Sequence, residues 1–339
     1  LAAHPTPAPQ QLEAWRQQAK AVLPGRVAYW AQRMGVQPAA VTITAASTSI
    51  MTAVDNALVL GRLQNAGLLL SEDAARSLMG NYTGVQTVYQ IPAALMVAIT
   101  ASVIPAVTIC FTQKDRTGAA KIVGSSLKTA ALLAFPSGIG MLVLGKPIVQ
   151  LLFPSLDADI AGTILSILGI ANIFVCLMLI TNSILQAYGR VSVPIVTMLV
   201  GGGVKIVLNY NLVALPSVNI HGAPIGTLVC FALTALLNLI AVARIAPFRL
   251  NYPGYFLRPL FASLVMAFAA RGVYALAAHF LIPSVEEVSR LTLLLCVGLA
   301  IGVAVVIYGV LVLALHCIRR SDLELLPKGD KLARLLHIS

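Results

Sequence analysis

Charge is scarce in this chain: 10% of its 339 residues are Asp, Glu, Lys or Arg. A soluble domain carries about 25%, so a soluble globular enzyme is excluded. Disorder is excluded as well, because 58% of the residues are hydrophobic and such a chain must bury them. Aromatic residues are only 6%, with two tryptophans. No alternating strand pattern accompanies them, which argues against an outer-membrane barrel with its aromatic girdles. Mean hydropathy is +0.89. An all-α polytopic membrane protein remains.

Chemical signatures are missing too. The five cysteines (Cys110, Cys176, Cys230, Cys296 and Cys317) form no CxxC pair. None has His or acidic company at metal-ligand spacing, so they read as small core residues. No Ser–His–Asp or Cys–His arrangement is suggested, and no GxxxxGK[ST] phosphate loop occurs. His4, His221, His279, His316 and His337 are scattered near span ends or in the tails. The expectation is a protein that is not an enzyme, with no catalytic residues, metal or cofactor. The net charge of +11 would suggest nucleic acid in a soluble protein. Here the basic residues sit in short gaps between apolar runs, so topology explains them better and no nucleic-acid partner is expected.

Eight apolar stretches are present, each near the ~20 residues that cross a bilayer as a helix. They run over about 41–61, 82–112, 127–145, 160–187, 192–214, 223–243, 259–282 and 291–317. The second and fourth are long enough to tilt or project. With the N-terminal segment placed inside, seventeen of the 23 basic residues fall in inside segments. The outside gaps hold only Arg62, Arg76, Lys146 and Arg290. The positive-inside rule then puts both ends of this chain in the cytoplasm.

Residues 1–40 are read as a cytoplasmic or interfacial segment. Leu12, Trp15, Ala19 and Val22, then Val27, Trp30, Ala31 and Met34, recur at helical spacing among basic residues. That pattern fits amphipathic helices on membrane lipids, and equally a plain helical linker. Residues 41–247 are a six-helix lobe, 248–318 two further spans and 319–339 a cytoplasmic tail. The chain opens at Leu1 with no leader pattern, which predicts a removed start or a part of a longer protein.

Polar residues within spans are the informative ones, since each is costly in hydrocarbon. Asp55 and Arg62 lie two turns apart on the first span, lining a hydrated cavity, forming a structural ion pair, or with Arg62 snorkelling to the outer interface. Tyr82, Gln86, Tyr89 and Gln90 make a polar stripe at the start of the second, followed by Pro92 and Pro105. Asn182, Gln186 and Arg190 follow at four-residue spacing. Gly189 can end that helix and Pro194 can start the next. Lys205 and Asn209 follow the Gly201–Gly203 run, and Thr227, Thr234 and Asn238 share a face. The stripe on the second span reads either as a site with proline hinges or as hydrogen bonding between helices, and Lys205 as attracting an anionic headgroup, snorkelling or pairing with a neighbour. Arg271 reads as lipid-facing or structural.

Several strings resemble a known family. They are TNSILQAYGRVSVPIVTMLVGGGVKIVLNYNLV, NIHGAPIGTLVCFALTALLNL, VDNALVLGRLQNAG, YTGVQTVYQIPAALMVAITASVIPAV and the tail DLELLPKGDKL. Together they cover about 41–336 and resemble the polysaccharide-export and lipid II flippase family, stage V sporulation protein B-like. That family belongs to the multidrug/oligosaccharidyl-lipid/polysaccharide exporter superfamily. The resemblance implies a fold of 14 helices in two six-helix lobes plus an extra C-terminal pair. This chain would match the second lobe and that pair, with the N-terminal lobe missing from it. It also implies a bacterial plasma-membrane flippase that moves undecaprenyl-pyrophosphate-linked sugars from the inner to the outer leaflet by alternating access. The implied partners are that lipid-linked glycan, membrane lipids and the first lobe. Asp55, Arg62, Tyr82, Gln86, Gln90, Asn182, Gln186, Lys205 and Asn209 are then candidates for the substrate cavity, Arg62 by position rather than by motif. Two alternatives stay open. A cation-coupled drug exporter of the same fold would want carboxylates, and Asp55 is the lone acid within a span. A non-transporting scaffold for cell-wall synthesis would want none of these charges.

Overall fold

A computed structural model describes residues 58–64, 71–246, 248, 250–281 and 289–315. The segment 1–40, Asp55 with most of the first expected span, and the tail 319–339 lie outside the described residues. Residues 58–64 are helical. Seven long helices follow: α1 (Glu72–Thr112), α2 (Arg116–Leu152), α3 (Ala158–Ala187), α4 (Ser192–Leu212), α5 (Gly222–Ile245), α6 (Tyr252–Leu281) and α7 (Arg290–Ala314). A 3₁₀ turn (Asn219–His221) precedes α5. No strand occurs among the described residues. All seven helices are long and apolar enough to cross a membrane, and they correspond to the second through eighth expected spans.

Helix ends depart from the apolar limits, because hydropathy marks the membrane and capping marks the helix. α1 begins ten residues before its apolar run. Ser71 caps it, its Oγ accepting from the Ala74 N–H at 3.3 Å, and Glu72 and Asp73 occupy the first turn. Side-chain acceptors and negative charge both favour that end. Asp115 caps α2 in the same way, accepting from Gly118 N–H at 2.9 Å. α1, at 41 residues, is about 60 Å long against a hydrocarbon core of about 30 Å.

α3 is the central helix, with 67% of its most apolar window buried. α1, α2 and α5 pack on it, α4 packs chiefly on α5, and the α6–α7 pair attaches through α2. The α2–α3 contact is made by glycines seven residues apart on each helix. Gly138 faces Gly169 and Gly145 faces Gly162, in opposite chain order. Small residues let membrane helices approach backbone to backbone, where dispersion rather than the hydrophobic effect holds them.

Two prolines inside α2 explain how the last pair is held. Pro136 has no N–H to give to the Leu132 carbonyl, and the Tyr308 hydroxyl of α7 donates to that oxygen at 2.8 Å. Pro147 likewise frees the Val143 carbonyl, and Arg271 Nη1 of α6 donates to it at 3.5 Å. A carbonyl stripped of its helical partner needs another in hydrocarbon. Arg271 therefore has a structural role. We expect Tyr308→Phe to cost about 1 kcal/mol, read as a lower thermal midpoint in detergent. In a Pro136→Ala background the helix regains that N–H, so the same change should cost clearly less. Equal losses in both backgrounds would refute the account.

Candidate functional site

The polar interior is built around α5. Thr227, Thr234 and Asn238 lie on one face of this helix and are all buried, and each reaches a different neighbour. Thr227 Oγ1 shares a 3.3 Å hydrogen bond with the Tyr82 hydroxyl on α1. Thr234 Oγ1 donates to the Thr197 carbonyl on α4 at 3.4 Å. Asn238, fully buried, accepts from Thr197 Oγ1 at 2.8 Å and donates through Nδ2 to Asn182 Oδ1 on α3 at 2.7 Å. One amide thus ties three helices, which keeps every polar atom of the trio paired in an apolar surround.

The expected stripe on α1 divides between inside and outside. Tyr82 and Tyr89 are buried, Gln86 is half-buried and Gln90 is exposed. At 100° per residue, Gln90 lies about 80° round the helix from Tyr82. It joins Thr83 and Thr87 on the exposed side. Lys205 and Asn209 are one turn apart on α4 and buried, and both are engaged within the protein. They pack on Gly226 of α5, where an added Cβ would lie 3.6 Å from Lys205 Cγ and would strike the Asn209 amide oxygen. Gln186 is half-buried, the last residue but one of α3, and its carbonyl accepts from Gly189 N–H at 2.9 Å.

Arg62 stands beside the last turns of α4. Val59 and Leu63, in the same helical stretch, are fully buried in one core with Tyr82, Val85, Val213 and Ile220. They hold the helix in place while Arg62 stays half-exposed. Its Nε donates to the Tyr210 carbonyl at 3.1 Å, and its guanidinium carbon lies 3.9 Å from the centre of the Tyr210 ring. Both partners are neutral. By contrast, Arg76 pairs with Glu72 and Lys146 with Asp159. Arg62 makes no ion pair among the described residues, and its anchoring leaves its charge in place. Asp55, its expected companion, lies outside the described residues.

The structure brings Asn182 together with Asn238, Tyr82 with Thr227, and Lys205 with Asn209. It does not bring Gln90 or Gln186 to any of these sets. Sequence reading missed Thr197 and Tyr210, whose partners are 41 and 148 positions away, and nothing local marks them. Thr227, Thr234 and Asn238 did carry a signal in their shared face. Among the described residues no group of three or more His, Cys, Asp or Glu could hold a metal ion.

The described residues thus form a bundle of membrane-spanning helices whose buried polar groups join neighbouring spans. The fold is shared with a solved transporter of the MOP superfamily from Pyrococcus furiosus, at TM-score 0.50 and 16% identity, over 87% of this chain and 67% of that one. The family model described as lipid II flippase MurJ matches residues 75–292, and the chain belongs to that family. The membrane protein YabM of Bacillus subtilis (strain 168) is 27% identical over 267 residues. That alignment takes in 79% of this chain and 48% of the relative, so the chain spans about half the length of the curated relative it matches.

Proposed function

We propose that this chain forms one wall of a flippase that carries undecaprenyl-pyrophosphate-linked sugar precursors from the inner to the outer leaflet, the facing wall coming from a further lobe. The observation that carries the reading is Arg62, a cation fixed by a carbonyl and an aromatic ring at the edge of the bundle. A doubly anionic, bulky headgroup cannot cross hydrocarbon unaided. A guanidinium that pairs with no carboxylate among the described residues offers that headgroup compensation at the cavity edge, while the lipid tail stays in the bilayer. The exposed polar row Thr83, Thr87 and Gln90 on α1 supports a hydrated path, and alternating access opens such a path to each side in turn. The basic excess in the α1–α2 and α3–α4 turns supports a cytoplasmic position for that end of the bundle.

The test uses cells that carry the complete protein under depletion, with lipid-linked precursors labelled and assigned to a leaflet. One precursor should accumulate on the inner leaflet and vanish from the outer one. Arg62→Ala, expressed at the normal level, should fail to restore it, and Arg62→Lys should restore it in part, because charge returns without the planar stacking on Tyr210. An unchanged leaflet distribution with reduced dye efflux would favour the drug exporter. No change in either would favour the scaffold.

A further inference from the structure

At the end of the bundle opposite Arg62, two turns meet around a cavity of about 400 Å³. α1 and α3 each end there in the same hydrogen-bonding motif. Asp115 N–H bonds the Cys110 carbonyl and Lys114 N–H that of Phe111, while Arg190 N–H bonds Leu185 and Gly189 N–H bonds Gln186. This is the Schellman arrangement, whose penultimate residue is left-handed and usually glycine. Gly189 fits it at φ 71°, but the equivalent residue on α1 is Lys114, at φ 57°. A lysine stands where glycine would be less strained, and its side chain lines the cavity.

The lining is basic at the rim and polar at the floor. Lys114, Arg116 and Arg190 are exposed at the opening, with Asp115 as the one carboxylate. Asp115 is occupied in capping α2 through Gly118 N–H. None of the three cations makes an ion pair among the described residues, unlike Arg76 and Lys146. Arg116 occupies the first turn of α2, where the helix dipole repels a cation and attracts an anion. The floor is Tyr188, 8% exposed, its ring edge-on to Phe111 at 5.4 Å. Its hydroxyl is buried with no hydrogen-bond partner. Burial, and after it Cys110, raise the pKa of this hydroxyl above its ordinary value, so it remains an O–H donor. A buried hydroxyl without a partner gains one from an oxyanion's oxygen, and the three exposed cations around the opening attract such an anion.

We propose that this cavity binds a phosphate-group anion, with Lys114, Arg116 and Arg190 supplying charge and the Tyr188 hydroxyl donating to one phosphate oxygen. The volume suits a small ligand and accommodates a glycerophosphate headgroup. Phe111, exposed and apolar, lines the opening from α1, as the acyl end of a lipid would require. The same chemistry would take a free diphosphate. The site is about one α4 length, roughly 30 Å, from Arg62, so it stands or falls independently of the transport reading.

The test is binding to the purified full chain. Inorganic pyrophosphate is titrated by calorimetry into phosphatidylcholine nanodiscs carrying the protein. In parallel, nanodiscs containing phosphatidylglycerol are examined by native mass spectrometry for retained lipid. Wild type should bind at least one probe saturably. Retention of phosphatidylglycerol alone identifies a lipid headgroup, and pyrophosphate binding identifies a soluble anion. Arg116→Gln with Arg190→Gln should weaken binding about 100-fold, about tenfold for each charged hydrogen bond. Tyr188→Phe should weaken it about tenfold while the thermal midpoint holds or rises, because the lost hydroxyl had no partner. A hydroxyl with a purely structural role would give the opposite pair of results, a lower midpoint and unchanged affinity, and would overturn the proposal. So would failure of both probes to bind, or a loss in the arginine variant that Tyr188→Phe does not share, which would indicate diffuse surface charge.

Discussion

Gly169→Ala is expected to destabilise the protein by about 1–3 kcal/mol, the cost of forcing atoms into a filled interface. The sign is informative because local propensity runs the other way. Alanine is favoured over glycine in a helix interior by about 1 kcal/mol. At Gly169 the new Cβ would sit 2.6 Å from the Gly138 carbonyl oxygen, 2.8 Å from Met141 Cβ and 3.0 Å from Leu142 N. Two of these three are backbone atoms of α2, so relief requires α2 and α3 to separate along their length. The second glycine level then loosens too, since a Cβ on Gly145 already comes within 2.7 Å of the Gly162 carbonyl. Gly140 is the control: it lies on α2 beside the crossing, and a Cβ there meets nothing within 4 Å. Gly140→Ala should be neutral or stabilising by up to about 1 kcal/mol. Thermal denaturation in detergent, followed by the fraction that stays monodisperse, compares the two. Equal behaviour would mean that the glycine contacts do not hold α2 on α3.

Asn238→Leu is the second large effect, about 2 kcal/mol, within the range for leaving buried polar groups unmatched. Leucine fills similar space but removes the acceptor for Thr197 Oγ1 and the donor to Asn182 Oδ1. Thr197 keeps its own-helix bond to the Pro194 carbonyl at 3.1 Å, so the unpaired group is chiefly Asn182. α4 should loosen as well, because it packs chiefly on α5 and loses one of its buried side-chain ties there, the Thr234–Thr197 bond remaining. Faster cleavage or exchange in the α3–α4 turn would report that loosening. Asn211→Leu is the comparison. Asn211 is exposed and bonds only the Val207 carbonyl of its own helix at 2.7 Å. Its loss should stay within about 0.5 kcal/mol. A double change with Asn182→Leu should cost less than the two single changes together, because the second removes the group stranded by the first.

Much of this protein was determined by the sequence alone. Scarce charge and long apolar runs leave a helical membrane protein as the solution, since a helix pairs its own backbone groups in hydrocarbon. The spans α1 to α7 could be read directly. So could the ends at Gly189 and Pro194, because capping and proline geometry act within a few residues. Part of the polar interior was also legible: Thr227, Thr234 and Asn238 share a helix face at any tertiary arrangement, and Asn182, Lys205 and Asn209 stand out in an apolar chain.

Which of these groups meet was decided only in three dimensions. Tyr82 and Gln90 belong to one stripe in the sequence, yet packing of α1 on α3 buries the tyrosine and leaves the glutamine outside. Arg271 and Tyr308 carry no local sign of purpose. Their role exists only because Pro136 and Pro147 free carbonyls on a helix more than a hundred residues earlier. The same holds for Arg62 on Tyr210 and for the cavity over Tyr188, which joins two turns about 75 residues apart. Periodicity and capping are short-range, extending over one or two helical turns. The partner of a buried polar group depends instead on which helix faces are pressed together, and that follows from the packing of the whole bundle.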